Sequence, residues 1–188
     1  MSNEDPAEAE FRELYERCHR PVLAYFQRRL PRSEAFDATE EVFLVVWRRL
    51  NDVPDGDGAL PWLYGIAHNV LLNQQRSARR ERRLKSRLAS DPIPPMPDTA
   101  QQIVDQAEQE AVVSSLSTLP YRDREILRLT YWEELPHAQI ADVLGCSVGA
   151  VDVRLHRAKR RLRKALARAG HVPSGRPAVL PEWKEEGC

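Results

Sequence analysis

The stretch ASDPIPPMPDTAQQ constrains the fold of this chain more than any other segment. It places four prolines within six residues, at Pro92, Pro94, Pro95 and Pro97. Proline lacks an amide N–H and fixes one backbone dihedral, so neither a helix interior nor a central strand tolerates this density. The stretch therefore predicts a semi-extended linker. A chain of 188 residues divided in this way forms two small domains, each with a modest core.

The apolar residues on both sides of this linker recur at three- and four-residue steps, which is typical of amphipathic helices. In the first part, a helix that contains Pro21 precedes a second helix, DATEEVFLVVWRRL, whose first-turn acids suit the helix dipole. We expect Pro21 to kink or divide the first helix. The predicted fold class is all-α, with helical domains at residues 8–89 and 103–168, the linker at residues 90–102 and a flexible tail at residues 169–188.

One helix of the first domain carries an unusual polar face. It is predicted to run from Pro61 to about Leu88, with a core face of Leu63, Ile66, Ala67, Val70 and Leu71. At about 100° per residue, another stripe collects an indole, two amides and four guanidinium groups: Trp62, Asn69, Asn73, Arg76, Arg80, Arg83 and Arg87. Such a stripe can stack on bases, bond to their edges and follow a phosphate backbone. The alternative is a solvated face with Trp62 partly buried.

The second domain contains a short helix, a tight turn and a longer basic helix, which is the helix-turn-helix pattern. Gly145 can end the short helix, and Ser147 can cap the next one. The inward face of the last helix is predicted at Val148, Val151, Leu155, Ala158, Leu162 and Leu166. Cations occupy most of the remaining circumference. The capped turn favours DNA as the ligand over a membrane surface or an acidic protein partner.

The distribution of charge supports this interpretation. The chain balances 28 basic against 28 acidic residues. Residues 76–90 and 147–168 are nevertheless strongly basic, whereas residues 1–60 and 91–120 are rich in acids. Two basic blocks separated by an acidic one indicate two contacts with a polyanion.

Other classes of protein find little support in the sequence. No apolar run approaches the roughly 20 residues of a membrane span, and the first residues are acidic, so we expect a cytoplasmic protein without membrane insertion. Three widely spaced cysteines without a CxxC motif are typical of reduced structural thiols. Without metal-ligand spacing, a Gly-rich phosphate loop or a nucleophile motif, we expect no enzyme activity, no metal and no cofactor.

The pairing of DATEEVFLVVWRRL … LPWLYGIAHNVLLNQQR with LSTLPYRDREILRLTYWEELPHAQIADVLGCSVGAVDVRLHRAKRRLRKAL resembles the extracytoplasmic-function (ECF) sigma factors of bacteria. The resemblance covers roughly residues 11–88 and 104–166. It implies two domains that bind core RNA polymerase and place it on promoter DNA. Sigma domain 2 would bind the clamp helices of the β′ subunit and open the −10 element. Sigma domain 4 would read the −35 element and contact the β flap, and an anti-sigma factor is a further implied partner.

The resemblance also assigns residues by position. It implies a core-polymerase surface at Asp37, Glu40, Glu41, Phe43 and Trp47. It implies −10 contacts at Val53, Trp62, Asn69, Asn73, Arg76, Arg80 and Arg83, with Asn69 and residues 53–60 around a flipped base. It implies −35 contacts at Asp152, Val153, Arg154, His156, Arg157, Arg160, Arg161 and Lys164. In EELPHAQIA, Glu134 replaces the family's usual Gly and Pro136 its Ser cap, changes that should leave the fold intact.

Two alternatives stay open at this point. Asp152 stands where the family usually has a cation. It either stabilises the first turn of its helix and contacts His156, or accepts a hydrogen bond from a cytosine amino group. The alternative to a sigma factor is a stand-alone helix-turn-helix regulator, whose first domain dimerises or senses a signal and which binds DNA without polymerase.

Overall fold

A computed structural model of the chain describes residues 5–85 and 106–169. These residues form α-helices, two short 3-10 turns and loops, with no strand among them. The chain divides into two compact units, one within residues 1–100 and the other within residues 101–188. The predicted all-α class with two helical domains is confirmed. The predicted linker, and the predicted tail beyond Ala169, lie outside the described residues.

The first unit consists of α1 (Pro6–Gln27), α2 (Arg32–Arg48) and α3 (Ala59–Lys85). Pro21 lies inside α1 without dividing it. The predicted start of α2 near Asp37 is wrong, because the helix begins at Arg32. Pro31 precedes that first residue, and its carbonyl accepts a hydrogen bond from Ala35 N at 2.9 Å. The acids Asp37, Glu40 and Glu41 therefore lie within α2, so the helix dipole does not account for them.

The core of the first unit is formed by one face of each helix. Fully buried side chains come from α1 (Val22, Tyr25, Phe26), α2 (Ala35, Ala38, Val42, Val46) and α3 (Leu63, Ala67, Leu71). Four of the five residues predicted for the core face of α3 are buried, and Ile66 is half-buried. Since burial of a large apolar side chain is worth roughly 1.5–3 kcal/mol, this core fixes which face of α3 points to solvent.

The second unit consists of α4 (Gln106–Ser117), α5 (Tyr121–Tyr131), α6 (His137–Leu144) and α7 (Val148–Arg168). The helix-turn-helix is formed by α6 and α7. Gly145 adopts a left-handed conformation with φ of 61°, and Cys146 N donates to Ala141 O at 3.0 Å. The side chain of Ser147 then accepts a hydrogen bond from Ala150 N at 3.2 Å. The predicted helix stop and helix cap are both confirmed.

The inward face of α7 follows the prediction with one correction. Five of the six predicted residues are buried: Val151, Leu155, Ala158, Leu162 and Leu166. Val148 is 44% exposed. It is the first residue of α7, so it stands at the open end of the helix beside the turn.

Candidate functional surfaces

An acidic and aromatic surface covers one side of α2. Asp37, Glu40, Leu44 and Trp47 follow each other at three- and four-residue steps, and Glu41 lies four residues after Asp37 and three before Leu44. This spacing places all five residues along one side of the helix. All five are exposed, and Leu44 and Trp47 reach 57% and 46%. Large apolar side chains that are exposed beside acids in this way are typical of surfaces that bind a partner protein.

Helix α1 extends this surface with further aromatic rings. Phe11 packs edge-on against Trp47, with ring centres 5.1 Å apart, and Tyr15 stacks on His19 at 4.7 Å. An open depression of about 380 Å³ lies here, lined by Glu8, Phe11, Arg12, Tyr15 and Trp47. We call the combined surface the α1–α2 face: Phe11, Tyr15, Asp37, Glu40, Glu41, Leu44 and Trp47.

Two residues of this region differ from expectation. Phe43 was predicted as a polymerase contact, but it is only 4% exposed and packs beneath Tyr15, whose ring centre lies 4.7 Å away. Phe43 therefore supports the surface rather than forming it. Tyr15 shares the three- and four-residue spacing of the apolar residues in α1, such as Phe11, Cys18 and Val22, yet it is 39% exposed. Helical periodicity marks a side as apolar without showing whether another helix covers it.

The predicted polar stripe of α3 faces solvent. Asn69, Asn73, Arg76 and Arg80 are all exposed. Arg83 belongs to the same helix, but its side chain, like Arg87, lies outside the described part of the chain. The opposite face of α3 is in the core, so the stripe is free to meet a ligand.

Trp62, at the start of this stripe, is half-buried rather than open. The guanidinium carbon of Arg49 lies over its indole at 5.3 Å, within the range of a cation–π contact. Arg49 is held in turn by Asp52, with Nε 2.9 Å from Oδ2. Trp62 is therefore partly buried, with Arg49 over its ring, and its contact with a −10 base stays a prediction.

The loop before α3 is compact. A 3-10 turn spans Gly56–Gly58, and Gly56 has φ of 59°, a conformation that favours glycine. A Cβ on Gly58 would lie 2.9 Å from Pro54 Cβ, so only glycine fits at that position. Val53, at the start of the loop, is half-buried. The participation of this loop in a base pocket stays a prediction.

The basic helix α7 presents its predicted DNA contacts unevenly. Asp152, Val153, His156, Arg157, Arg160 and Lys164 are exposed, and Arg154 is half-buried. Asp152 does pair with a histidine, but not with the expected His156. Its Oδ1 lies 2.6 Å from Nδ1 of His137, the first residue of α6. This pair crosses the turn of the helix-turn-helix, which a sequence pattern within α7 could not reveal.

Arg161 also has a partner that the sequence did not predict. Its guanidinium forms an ion pair with Asp123 of α5, a residue that is only 5% exposed. Arg161 therefore links α5 to α7, and its contact with DNA stays a prediction. Nearby, the ammonium of Lys159 lies 5.6 Å from the centre of the Tyr131 ring. Burial raises the pKa of the Tyr131 phenol from 10.0 to about 12.

In the described ranges, no group of three or more His, Cys, Asp or Glu residues could hold a metal ion. None of the helices described is both long and apolar enough to cross a membrane. Cys18 is buried and Cys146 is partly buried, and both are free thiols.

Comparison with known proteins matches both units to one family. Residues 14–81 match Sigma-70 region 2, and residues 109–162 match Sigma-70, region 4. The ECF RNA polymerase sigma factor SigL of Mycobacterium tuberculosis is 32% identical over 165 residues, which cover 85% of this chain and 90% of SigL. The probable RNA polymerase sigma factor RfaY of Xanthomonas campestris is 37% identical over 134 residues, 69% of this chain but 33% of RfaY.

Solved structures show the same architecture. CnrH, in complex with the cytosolic domain of CnrY, is 27% identical, with a TM-score of 0.58 over 85% of this chain and 88% of CnrH. The sigma factor RpoE of Bartonella quintana, in complex with the anti-sigma factor NepR, has a TM-score of 0.66 over 84% of this chain and 96% of RpoE. At 20% identity, the likeness to RpoE shows the fold alone.

Two helical units with these surfaces and these matches define a promoter-specificity factor rather than a stand-alone regulator. The chain belongs to the ECF RNA polymerase sigma factors. It is an alternative sigma factor, a class of protein that binds bacterial core RNA polymerase and directs promoter recognition and transcription initiation.

Proposed function

We propose that this sigma factor divides its work among three surfaces. The α1–α2 face binds core polymerase, the polar stripe of α3 with residues 53–60 engages the −10 element, and α7 reads the −35 element. Residues 8–89 then act as sigma domain 2 and residues 103–168 as sigma domain 4. The observation that carries the proposal is the exposed cationic side of α7, which directly follows a capped, glycine-stopped turn.

The α1–α2 face suits the clamp helices of the β′ subunit. Exposed Glu40 and Glu41 attract a basic partner, which speeds association and fixes orientation. Trp47 and Leu44 supply the apolar area that such an interface must remove from water, and tryptophan is frequent among residues that dominate binding energy. The firm packing of Trp47 on Phe11 lowers the entropy that is lost on binding.

The two DNA surfaces differ in what they offer. On α7, Asp152, Val153, His156 and Arg157 lie toward the N-terminal end, which enters the major groove first in this motif. Arg160 and Lys164 lie further along and are suited to phosphates, whose contacts position the helix without reading bases. On α3, Asn69 and Asn73 can bond to base edges, and Arg76 and Arg80 can follow the backbone.

The remaining partners follow from the family. The structures of CnrH and RpoE each contain a second protein, and for RpoE that protein is an anti-sigma factor. We infer that an anti-sigma factor also holds this chain, and that the β flap of polymerase contacts its domain 4. The chain works in the cytoplasm, where transcription takes place. It supplies binding and orientation, and the bond-forming chemistry belongs to the polymerase.

Footprinting of promoter DNA with and without core polymerase tests this function. The promoter is first selected from a randomised library by the reconstituted holoenzyme. The proposal predicts protection of two separate elements by the holoenzyme and little or none by the free chain. Equal protection by the free chain would instead identify a stand-alone regulator.

A further inference from the structure

The pair formed by His137 and Asp152 joins the two helices of the helix-turn-helix at their N-terminal ends. His137 is the first residue of α6, and Asp152 is the fifth residue of α7. The Nδ1–Oδ1 distance is 2.6 Å, and the two side chains are 43% and 55% exposed. The contact spans 15 residues of sequence and lies at the end of α7 that faces DNA in this motif.

The chemistry of the two groups fixes the direction of this hydrogen bond. A carboxylate oxygen can only accept, so the proton lies on Nδ1 of His137, which donates to Oδ1 of Asp152. One oxygen of Asp152 is thereby occupied and the other stays available. An unrestrained aspartate at this position would sample several rotamers and carry an uncompensated charge near phosphates. The hydrogen bond from His137 restricts those rotamers.

We propose that His137 is a positioning residue for −35 recognition: it holds Asp152 so that the free carboxylate oxygen accepts a hydrogen bond from a cytosine amino group. Acceptance from cytosine N4 is the ordinary base contact of a carboxylate in the major groove. This inference rests on the proposed role of α7. It extends the reading surface to a residue of α6 that acts through Asp152 rather than on DNA itself.

The fold does not depend on this pair, so it can be altered without loss of the domain. The turn is already held by the Cys146–Ala141 backbone hydrogen bond and by the Ser147 cap. Ile140 and Val151 anchor α6 and α7 in the core, and both are fully buried. A half-exposed hydrogen bond between two side chains adds little stability to such an arrangement.

Selection of −35 sequences by reconstituted holoenzyme tests the proposal. The variants are His137→Ala, Asp152→Ala, the double variant and His137→Asn, whose side-chain amide places a donor where Nδ1 stands. Asp152→Ala should reduce the preference for cytosine at one position by roughly tenfold, and His137→Ala should reduce it at the same position by about threefold. His137→Asn should restore most of it. The double variant should match Asp152→Ala, because His137 has nothing left to position.

Asp142→Ala serves as the matched control. Asp142 is also an exposed, titratable residue of α6, and it belongs to none of the three proposed binding surfaces. Wild-type selection of a −35 element shows that the proposed function holds, and the variants then test only the role of His137. The proposal would be overturned if His137→Ala lowered the affinity for all −35 sequences equally. It would also be overturned if His137→Ala still changed selectivity in the Asp152→Ala background. Unchanged selectivity of Asp152→Ala would overturn it as well.

Discussion

Arg161 of α7 and Asp123 of α5 form an ion pair that ties the DNA-reading helix to the core of its unit. The Asp123 side chain is 8% exposed and that of Arg161 is 54% exposed, so the carboxylate depends on the guanidinium for compensation. A hydrogen bond to a charged group contributes more than a neutral one, and a buried charge left without its partner is costly.

Arg161→Ala should therefore destabilise the second unit by roughly 1–3 kcal/mol. Hydrogen exchange read by mass spectrometry separates the two units and should show faster exchange in α5 and α7, with α1–α3 unchanged. Arg160→Ala removes the same charge from an exposed position and serves as the control. Equal effects of the two variants would show that the pair with Asp123 contributes nothing specific.

Glu134 is a second position where the structure predicts a change in stability. Its φ of 52° lies in the left-handed region, where a residue with a side chain is strained by roughly 1 kcal/mol or more. Glu134→Gly should relieve this strain and stabilise the unit by up to about 1 kcal/mol, after the greater entropy of glycine in the unfolded chain is deducted. Urea unfolding of the full chain measures this change in the free energy of unfolding. Glu134→Ala removes the same charge but keeps the strained backbone. Equal free energies of unfolding for Glu134→Ala and Glu134→Gly would contradict the prediction.

The α1–α2 face leads to a prediction about polymerase. Glu41→Lys should weaken the affinity for core polymerase by at least about tenfold, because an acid that faces a basic partner becomes a like-charge contact. Folding should be unchanged because Glu41 is exposed. Fluorescence titration of labelled chain with core polymerase measures the affinity.

Glu13→Lys is the control, since Glu13 is exposed on the far side of α1 from Phe11. The same loss in both variants would place the interface elsewhere.

The cationic side chains of α7 should fall into two groups, those that contact base edges and those that contact only phosphates. Arg160→Ala and Lys164→Ala should each lower the affinity for all −35 sequences by the same factor. Each should also reduce the slope of log affinity against log salt concentration by about one unit. Arg157→Ala should instead cost about 1–3 kcal/mol at one base pair, because its guanidinium can donate twice to a guanine. Library selection by holoenzyme at two salt concentrations separates these outcomes. A uniform loss for Arg157→Ala would mean that α7 lies in the groove differently.

Local features of this fold could be predicted from the sequence. Gly145 and Ser147 act within their own turn, and the spacing of Leu63, Ala67 and Leu71 reports directly which face of α3 is buried. The solvent face of α3 follows from the same periodicity.

Features that depend on distant residues could not be predicted in this way. Arg161 and Asp123 are 38 residues apart, and His137 and Asp152 are 15 apart, so no local pattern connects them. The exposure of Tyr15 and the burial of Phe43 depend on which side chains of the neighbouring helix cover them, which periodicity does not specify.

Run-off transcription by core polymerase with this chain, on DNA randomised at the −10 and −35 elements, is the decisive test of the proposed promoter recognition. We predict transcripts that start at a fixed distance downstream of two selected elements and that depend on the chain. Asn69→Ala should change the selected −10 base while core binding and the −35 element stay the same. Transcription that showed no preference at either element, or no dependence on the chain, would rule out promoter recognition by these surfaces.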